Sequence, residues 1–259
     1  SRARDTFHCR ARGCSISFAS HMGSVDRHAP GIRECSLPPG RRNLHPSRPY
    51  LPISRHTAIH SNLVFARTYR PEVTDRQLFE TVRAWSAQYA FPVPPRPRPR
   101  HPDADRRLKV GYLSSDLRSH PVGRNLIGLI EHHDRQVIDI HGYAAGSASD
   151  GMAQRFRAAF GSRWREVALL DDTTIAKTIA ADGIDILVVV AGHTEGNRLG
   201  VAGHRPATLQ ASLHDLTSTG LEVMDYWFTD ADHHPPGSTE LFTETLVRLP
   251  SFYLHAPLS

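Results

Sequence analysis

The spacing of apolar positions divides the chain into stretches of different character. Over residues 1–56 neither a helical nor a strand period holds. Pro38, Pro39, Pro46, Pro49 and Pro52 interrupt the few apolar runs, so this Arg/Pro/His-rich segment is expected to be a disordered arm. From Thr57 the texture changes: Ile59, Leu63 and Phe65-Ala66 recur at helical spacing. After Tyr69-Arg70-Pro71, Thr74 reads as a cap before a second stripe of Leu78, Phe79, Val82, Trp85 and Tyr89. Two short amphipathic helices are expected over 57–92, and neither can bury its stripe alone. The run Phe91-Pro92-Val93-Pro94-Pro95-Arg96-Pro97-Arg98 then stops the helix. Residues 93–105 read as a stiff, extended Pro/Arg linker, with an SH3-type ligand as the other use of such a run.

Beyond the linker, short apolar runs alternate with helical stripes. Strands are predicted at 108–113, 137–143, 167–170, 184–190, 208–213, 226–229 and 246–249. Helices are predicted after the Ser119-His120-Pro121 turn, over 151–160, and from a cap at Thr173 or Thr174 to a C-cap at Gly183. Ile184-Asp185-Ile186-Leu187-Val188-Val189-Val190 has the continuous apolar character of a buried parallel strand. This alternation predicts an α/β fold over 106–259, a doubly wound, Rossmann-like parallel sheet.

Charge and cysteine usage narrow the function classes. Residues 1–100 carry 17 Arg and no Lys against six acids, whereas residues 101–259 carry 14 basic residues against 20 acids. The net charge of +5 therefore hides a basic arm ahead of an acidic globular part. An arm without Lys, crowded with Pro, Ser and His, is compositional in character, and no nucleic-acid partner is expected. Cys9, Cys14 and Cys35 cannot make a disulfide framework, and Cys9 and Cys14 with His8 and His21 fit no zinc-module spacing. No apolar run reaches membrane-spanning length and no secretory leader pattern opens the chain. A cytoplasmic setting, with no membrane partner, is the expectation.

In a doubly wound sheet, ligands bind beyond the carboxyl ends of the strands. That rule selects the loops 114–123, 192–197 and 214–220. They hold Asp116 and His120; His193, Thr194 and Glu195; and His214, Asp215, Thr217 and Ser218. Histidines and carboxylates there are suited to acid–base chemistry. No G-x-G-x-x-G, Walker or G-x-S-x-G sequence occurs, which argues against a standard dinucleotide, P-loop or hydrolase-elbow site. His132-His133 and His233-His234 read as solvated ends and turns rather than metal ligands, and no metal site is expected.

Leu108-Lys109-Val110-Gly111-Tyr112-Leu113-Ser114-Ser115-Asp116 with Ser119-His120-Pro121-Val122-Gly123 resembles the opening of the catalytic region of the O-GlcNAc transferase and SPINDLY family. The resemblance runs on through Asp182-Gly183-Ile184-Asp185-Ile186-Leu187-Val188, Ala191-Gly192-His193-Thr194, Arg205-Pro206-Ala207, Thr219-Gly220 and Met224-Asp225-Tyr226. It continues through Pro235-Pro236-Gly237 and Thr243-Glu244 with Arg248-Leu249-Pro250. The helices of 57–92 resemble the end of that family's tetratricopeptide array. The resemblance implies the first lobe of a GT-B architecture and transfer of N-acetylglucosamine from UDP-GlcNAc to Ser or Thr of an acceptor protein, with inversion and without metal or other cofactor. It further implies His120 as candidate base or acceptor-positioning residue. Asp116, Pro121, Gly192, His193, Thr194 and Thr219 are then expected to line the cleft.

Two departures qualify the expectation. The family's Leu-Gly-Tyr-Pro-Gly-Thr-Thr-Gly loop is here Leu213-His214-Asp215-Leu216-Thr217-Ser218-Thr219-Gly220, largely stripped of Gly and Pro. The chain also stops at Ser259, about where the family's first lobe stops. It is therefore expected to lack the UDP-binding lobe and to be inactive alone; a partner-binding module or a gene fragment is the alternative.

Overall fold

A computed structural model describes residues 53–89 and 106–250, with Pro95 and Pro97 between them. The cysteines, the arm ahead of Ile53 and most of the Pro/Arg run lie outside the described residues.

Two helices come first, α1 (Ile53–Thr68) and α2 (Asp75–Tyr89). α2 starts at a capping box: Thr74 Oγ1 accepts the Gln77 amide at 3.3 Å, and Gln77 Oε1 accepts the Thr74 amide at 3.0 Å. Its expected stripe faces inward, with Val82 and Trp85 buried and Phe79 and Tyr89 packed beside them. α1 departs from expectation twice. It begins at Ile53, within the stretch assigned to the arm, and it turns Ile59 (63% exposed) and Leu63 (53%) outward. The buried face is instead Ser61 and Val64, with Ser61 Oγ set 3.4 Å from a ring nitrogen of His193 in the lobe.

The lobe contains β1 (Leu108–Ser114), α3 (Pro121–His132), β2 (Ile138–Ala144), α4 (Gly151–Phe160) and β3 (Trp164–Glu166). α5 (Asp172–Asp182), β4 (Ile186–Val190), α6 (Leu199–Gly203) and β5 (Leu209–Leu213) follow, and β6 (Tyr226–Asp230) and β7 (Thr245–Leu249) complete it. All seven strands pair in parallel, in the order β3-β2-β1-β4-β5-β6-β7. This is the doubly wound order, with its reversal between β1 and β4.

Alternation along the central strands divides the core into two layers. Leu113, Leu187 and Val189 face α5, α6 and the α1–α2 pair, while Val110, Tyr112, Val188 and Val190 face α3 and α4. Arg106 grips Asp185 with both arms of its guanidinium, at 2.7 and 2.5 Å, while the Lys109 amide donates to the same carboxylate at 2.9 Å. This joins the start of β1 to the start of β4.

Two boundaries are corrected. The strand expected at 167–170 lies at Trp164–Glu166, paired with Gly142, Tyr143 and Ala144. Leu170 instead closes a turn onto the Val167 carbonyl, leaving Leu169 96% exposed. The cap of α5 is Asp171, whose Oδ1 accepts the Thr174 amide at 3.0 Å. A carboxylate one turn ahead of the apolar stripe takes that role from both threonines. Gly183 ends α5 in the left-handed region at φ 70°, as expected.

Candidate functional site

The reversal of strand order brings the loops after β1 and β4 side by side at the carboxyl edge, and the loop after β5 adjoins them. Ser115 Oγ donates to the Glu195 carbonyl at 3.4 Å, and the Ala191 amide donates to the Leu213 carbonyl at 2.9 Å.

The first loop bends so that Asp116 and His120, four positions apart, face each other. Asp116 is buried, with Oδ1 3.2 Å from the Arg118 guanidinium. His120 is the N-cap of α3 and Pro121 its first residue. The imidazole is 36% exposed, and its Nδ1 lies 3.3 Å from the Val122 amide and 3.6 Å from Asp116 Oδ2. Partial burial lowers the His120 pKa against the opposing pull of Asp116, while Arg118 and Arg124 add to the lowering.

The second loop turns through left-handed backbone at Ala191 (φ 76°) and Gly192 (φ 34°). Gly192 is required there twice over: a Cβ would lie 1.3 Å from Asp215 Oδ2. His193 points inward rather than toward an open cleft. It is 2% exposed and packs edge-on against Trp85, with ring centres 4.8 Å apart. Its Nε2–H donates to the Thr219 carbonyl at 3.0 Å, and Nδ1 faces Ser61 Oγ at 3.4 Å. Burial pushes its pKa down to about 4, so the ring is neutral at physiological pH. Thr194 is half-buried and folds its hydroxyl back onto the Ala191 carbonyl at 2.6 Å.

The third loop is polar, and its Asp215, Ser218 and Thr219 side chains are hydrogen-bonded within the protein. Thr219 is buried, its amide donating to Glu244 Oε1 at 2.8 Å and its hydroxyl to the same oxygen. Ser218 Oγ donates to Glu244 Oε2 at 2.7 Å. Asp215 lies against Gly192, with Oδ1 accepting the Leu216 amide at 2.8 Å and the His193 amide at 3.2 Å. Desolvation raises its pKa to about 7, with nearby Glu244 adding to the effect. His214 adopts φ 58°, and burial lowers its pKa to about 4.

Of the three loop histidines, His120 alone combines partial exposure with a position beside the strand-order reversal. Glu244, Ser61 and Trp85 organise the site, yet their roles went unforeseen, since each acts on a loop distant in sequence. Among the described residues no group of three His, Cys, Asp or Glu side chains is placed to hold a metal ion. Concavities of about 290, 370 and 530 Å3 lie along α5, between α1 and α2, and between α2 and segment 168–173. None of these three is lined by Asp116 or His120.

A seven-stranded parallel sheet with this order defines a Rossmann-like lobe, with a histidine-bearing loop at its reversal. The chain belongs to glycosyl transferase family 41, whose family pattern matches residues 89–256. It is 32% identical over 212 residues to the rice (Oryza sativa subsp. japonica) probable UDP-N-acetylglucosamine–peptide N-acetylglucosaminyltransferase SPINDLY, covering 80% of this chain and 23% of the relative. It is 34% identical over 149 residues to the Caenorhabditis elegans UDP-N-acetylglucosamine–peptide N-acetylglucosaminyltransferase, covering 56% and 13%. A solved mutant O-GlcNAc transferase from Thermobaculum terrenum superposes with a TM-score of 0.73 at 38% identity, covering 78% of this chain and 39% of that one.

Proposed function

We propose that this lobe forms the His120 side of a two-lobed cleft that transfers N-acetylglucosamine from UDP-GlcNAc to Ser or Thr hydroxyls of an acceptor protein, with inversion and without a metal, in a cytoplasmic setting. The observation that carries the reading is the partly exposed His120 beside the strand-order reversal, in a chain of this family. Asp116, Pro121, Gly192 and Thr194 shape the loops around it, and His193 and Thr219 support them from within. Residues 57–92, together with the start of α1 at Ile53, act as the end of a tetratricopeptide array, 93–105 as a linker and the residues ahead of α1 as an arm. Among the described residues no helix is long and apolar enough to cross a membrane.

The matched relatives are far longer than this chain, and transfer is read as requiring a second lobe that binds the nucleotide. Each preorganised donor to a departing diphosphate is worth about 3–4 kcal/mol, and holding the reactants together about 7–11 kcal/mol. A single lobe with one imidazole supplies neither. The test is calorimetric titration of the chain with UDP beside a radiolabelled UDP-GlcNAc assay on a peptide pool, each with and without the second lobe of the Thermobaculum relative. Transfer only with both lobes, and its loss in His120→Ala, is expected. Micromolar UDP binding by the chain alone would overturn the two-lobe requirement, and no transfer with both lobes would overturn the assignment.

A further inference from the structure

The chemistry open to His120 depends on which ring nitrogen carries the proton, and the first turn of α3 governs that choice. His120 has extended backbone, φ −142° and ψ 153°, as an N-cap requires. Pro121 has no amide hydrogen, so Val122 supplies the first donor of the turn, and it points at Nδ1 from 3.3 Å. A nitrogen that accepts a hydrogen bond must offer its lone pair. The neutral ring therefore keeps its proton on Nε2.

Asp116 Oδ2, 3.6 Å from the same Nδ1, has no proton to meet in that state. Its carboxylate becomes a partner when Nδ1 is protonated, because Nδ1–H must then leave the Val122 amide and face an acceptor. The other charged groups acting on the ring are Arg118, which also holds Asp116, and Arg124 on α3, and both disfavour the imidazolium.

Resting on the reading of His120 as a cleft residue, we propose that His120 serves the cleft as an Nε2–H hydrogen-bond donor to a ligand oxygen rather than as a proton-accepting base. The α3 N-terminus fixes the neutral tautomer, and Asp116 is the positioning residue for the charged ring. A donor of this kind works in both protonation states, since Nε2–H is present in each.

Long-range proton–nitrogen NMR of the 15N-histidine-labelled chain tests this without any ligand or transfer assay, so its outcome is separable from that of the functional reading. The His120 signals are identified by their loss in His120→Asn, which keeps a capping oxygen. The expected neutral ring has protonated Nε2 and bare Nδ1. In Asp116→Asn the tautomer persists while the titration midpoint of the ring moves down by about one pH unit, because an opposite charge has been removed. A neutral ring protonated on Nδ1 in the wild-type chain would overturn the donor assignment whether or not the variant folds. A midpoint unmoved in Asp116→Asn would overturn the role of Asp116.

Discussion

Replacing Asp215 by Asn isolates the cost of burying a carboxylate where the loops after β4 and β5 meet. The substitution keeps the size and leaves an oxygen to accept the Leu216 and His193 amides. In the folded chain the Asp215 carboxyl titrates at about 7, against about 4 in an unfolded chain. Between those values the folded state holds a proton that the unfolded state has lost, so ionisation costs wild-type stability as pH rises. At about 1.4 kcal/mol per pH unit the whole window amounts to about 4 kcal/mol. Asp215 keeps part of its surface in water, which brings the expectation to about 2–4 kcal/mol. His193 and His214, both with pKa values lowered to about 4, have the opposite slope: the unfolded chain protonates them first, so stability rises with pH over about 4 to 6.5. Those contributions are common to both proteins and cancel in the difference. Urea denaturation of wild type and Asp215→Asn at pH values from about 4 to 8 measures it. The variant should gain on the wild type steadily as pH rises and level off above about 7. A difference that stays flat with pH would refute a buried, proton-holding Asp215.

Two further substitutions probe the contact of the helix pair with the lobe. His193→Ala should cost about 3–5 kcal/mol in urea denaturation, through loss of the Trp85 contact and an unpaired Thr219 carbonyl; a cost below about 1 kcal/mol would show that the ring is not the wedge described. Gly220→Ala places a Cβ 2.5 Å from the Val82 carbonyl at φ 73°, and should cost about 2–4 kcal/mol and speed amide exchange in α2. Unchanged exchange in α2 would mean that the loop and the helix do not pack as described.

What the sequence revealed, and what it concealed, follows from the range of each interaction. The continuous apolar run of β4, the Thr74 cap of α2 and the Gly183 stop of α5 are local signals, and each is seen in the structure. The rule for doubly wound sheets also selected the loops that hold His120, His193 and Asp215. Local reading failed at 167–170, where the continuous apolar run Val167-Ala168-Leu169-Leu170 imitates a strand although Leu169 faces water. It failed again on α1, where Ile59 and Leu63 looked like the inward stripe. The buried face holds Ser61 and Val64, and the neighbour of Ser61, His193, lies 132 positions away. For the same reason His193 reads as a cleft residue in sequence but serves as a buried wedge. Glu244 reaches back 25 positions to Thr219, a link that no spacing pattern announces.

The fit of α1 and α2 on the lobe bears on how such proteins can be cut and recombined. By composition the obvious seam is the Pro/Arg stretch between Tyr89 and Arg106. Yet the helices upstream of it are fastened to the lobe by side chains from both parties: Ser61 and Trp85 on His193, and Arg83 on the Gly220 carbonyl and on Glu222. A chimera spliced at the Pro/Arg stretch would place a foreign helix pair over His193 and Gly220 and would have to re-create each of those matches. A junction ahead of Ile53 leaves them intact. The helix pair is thus fastened to the lobe, and grafts between relatives should treat the two as one exchangeable block.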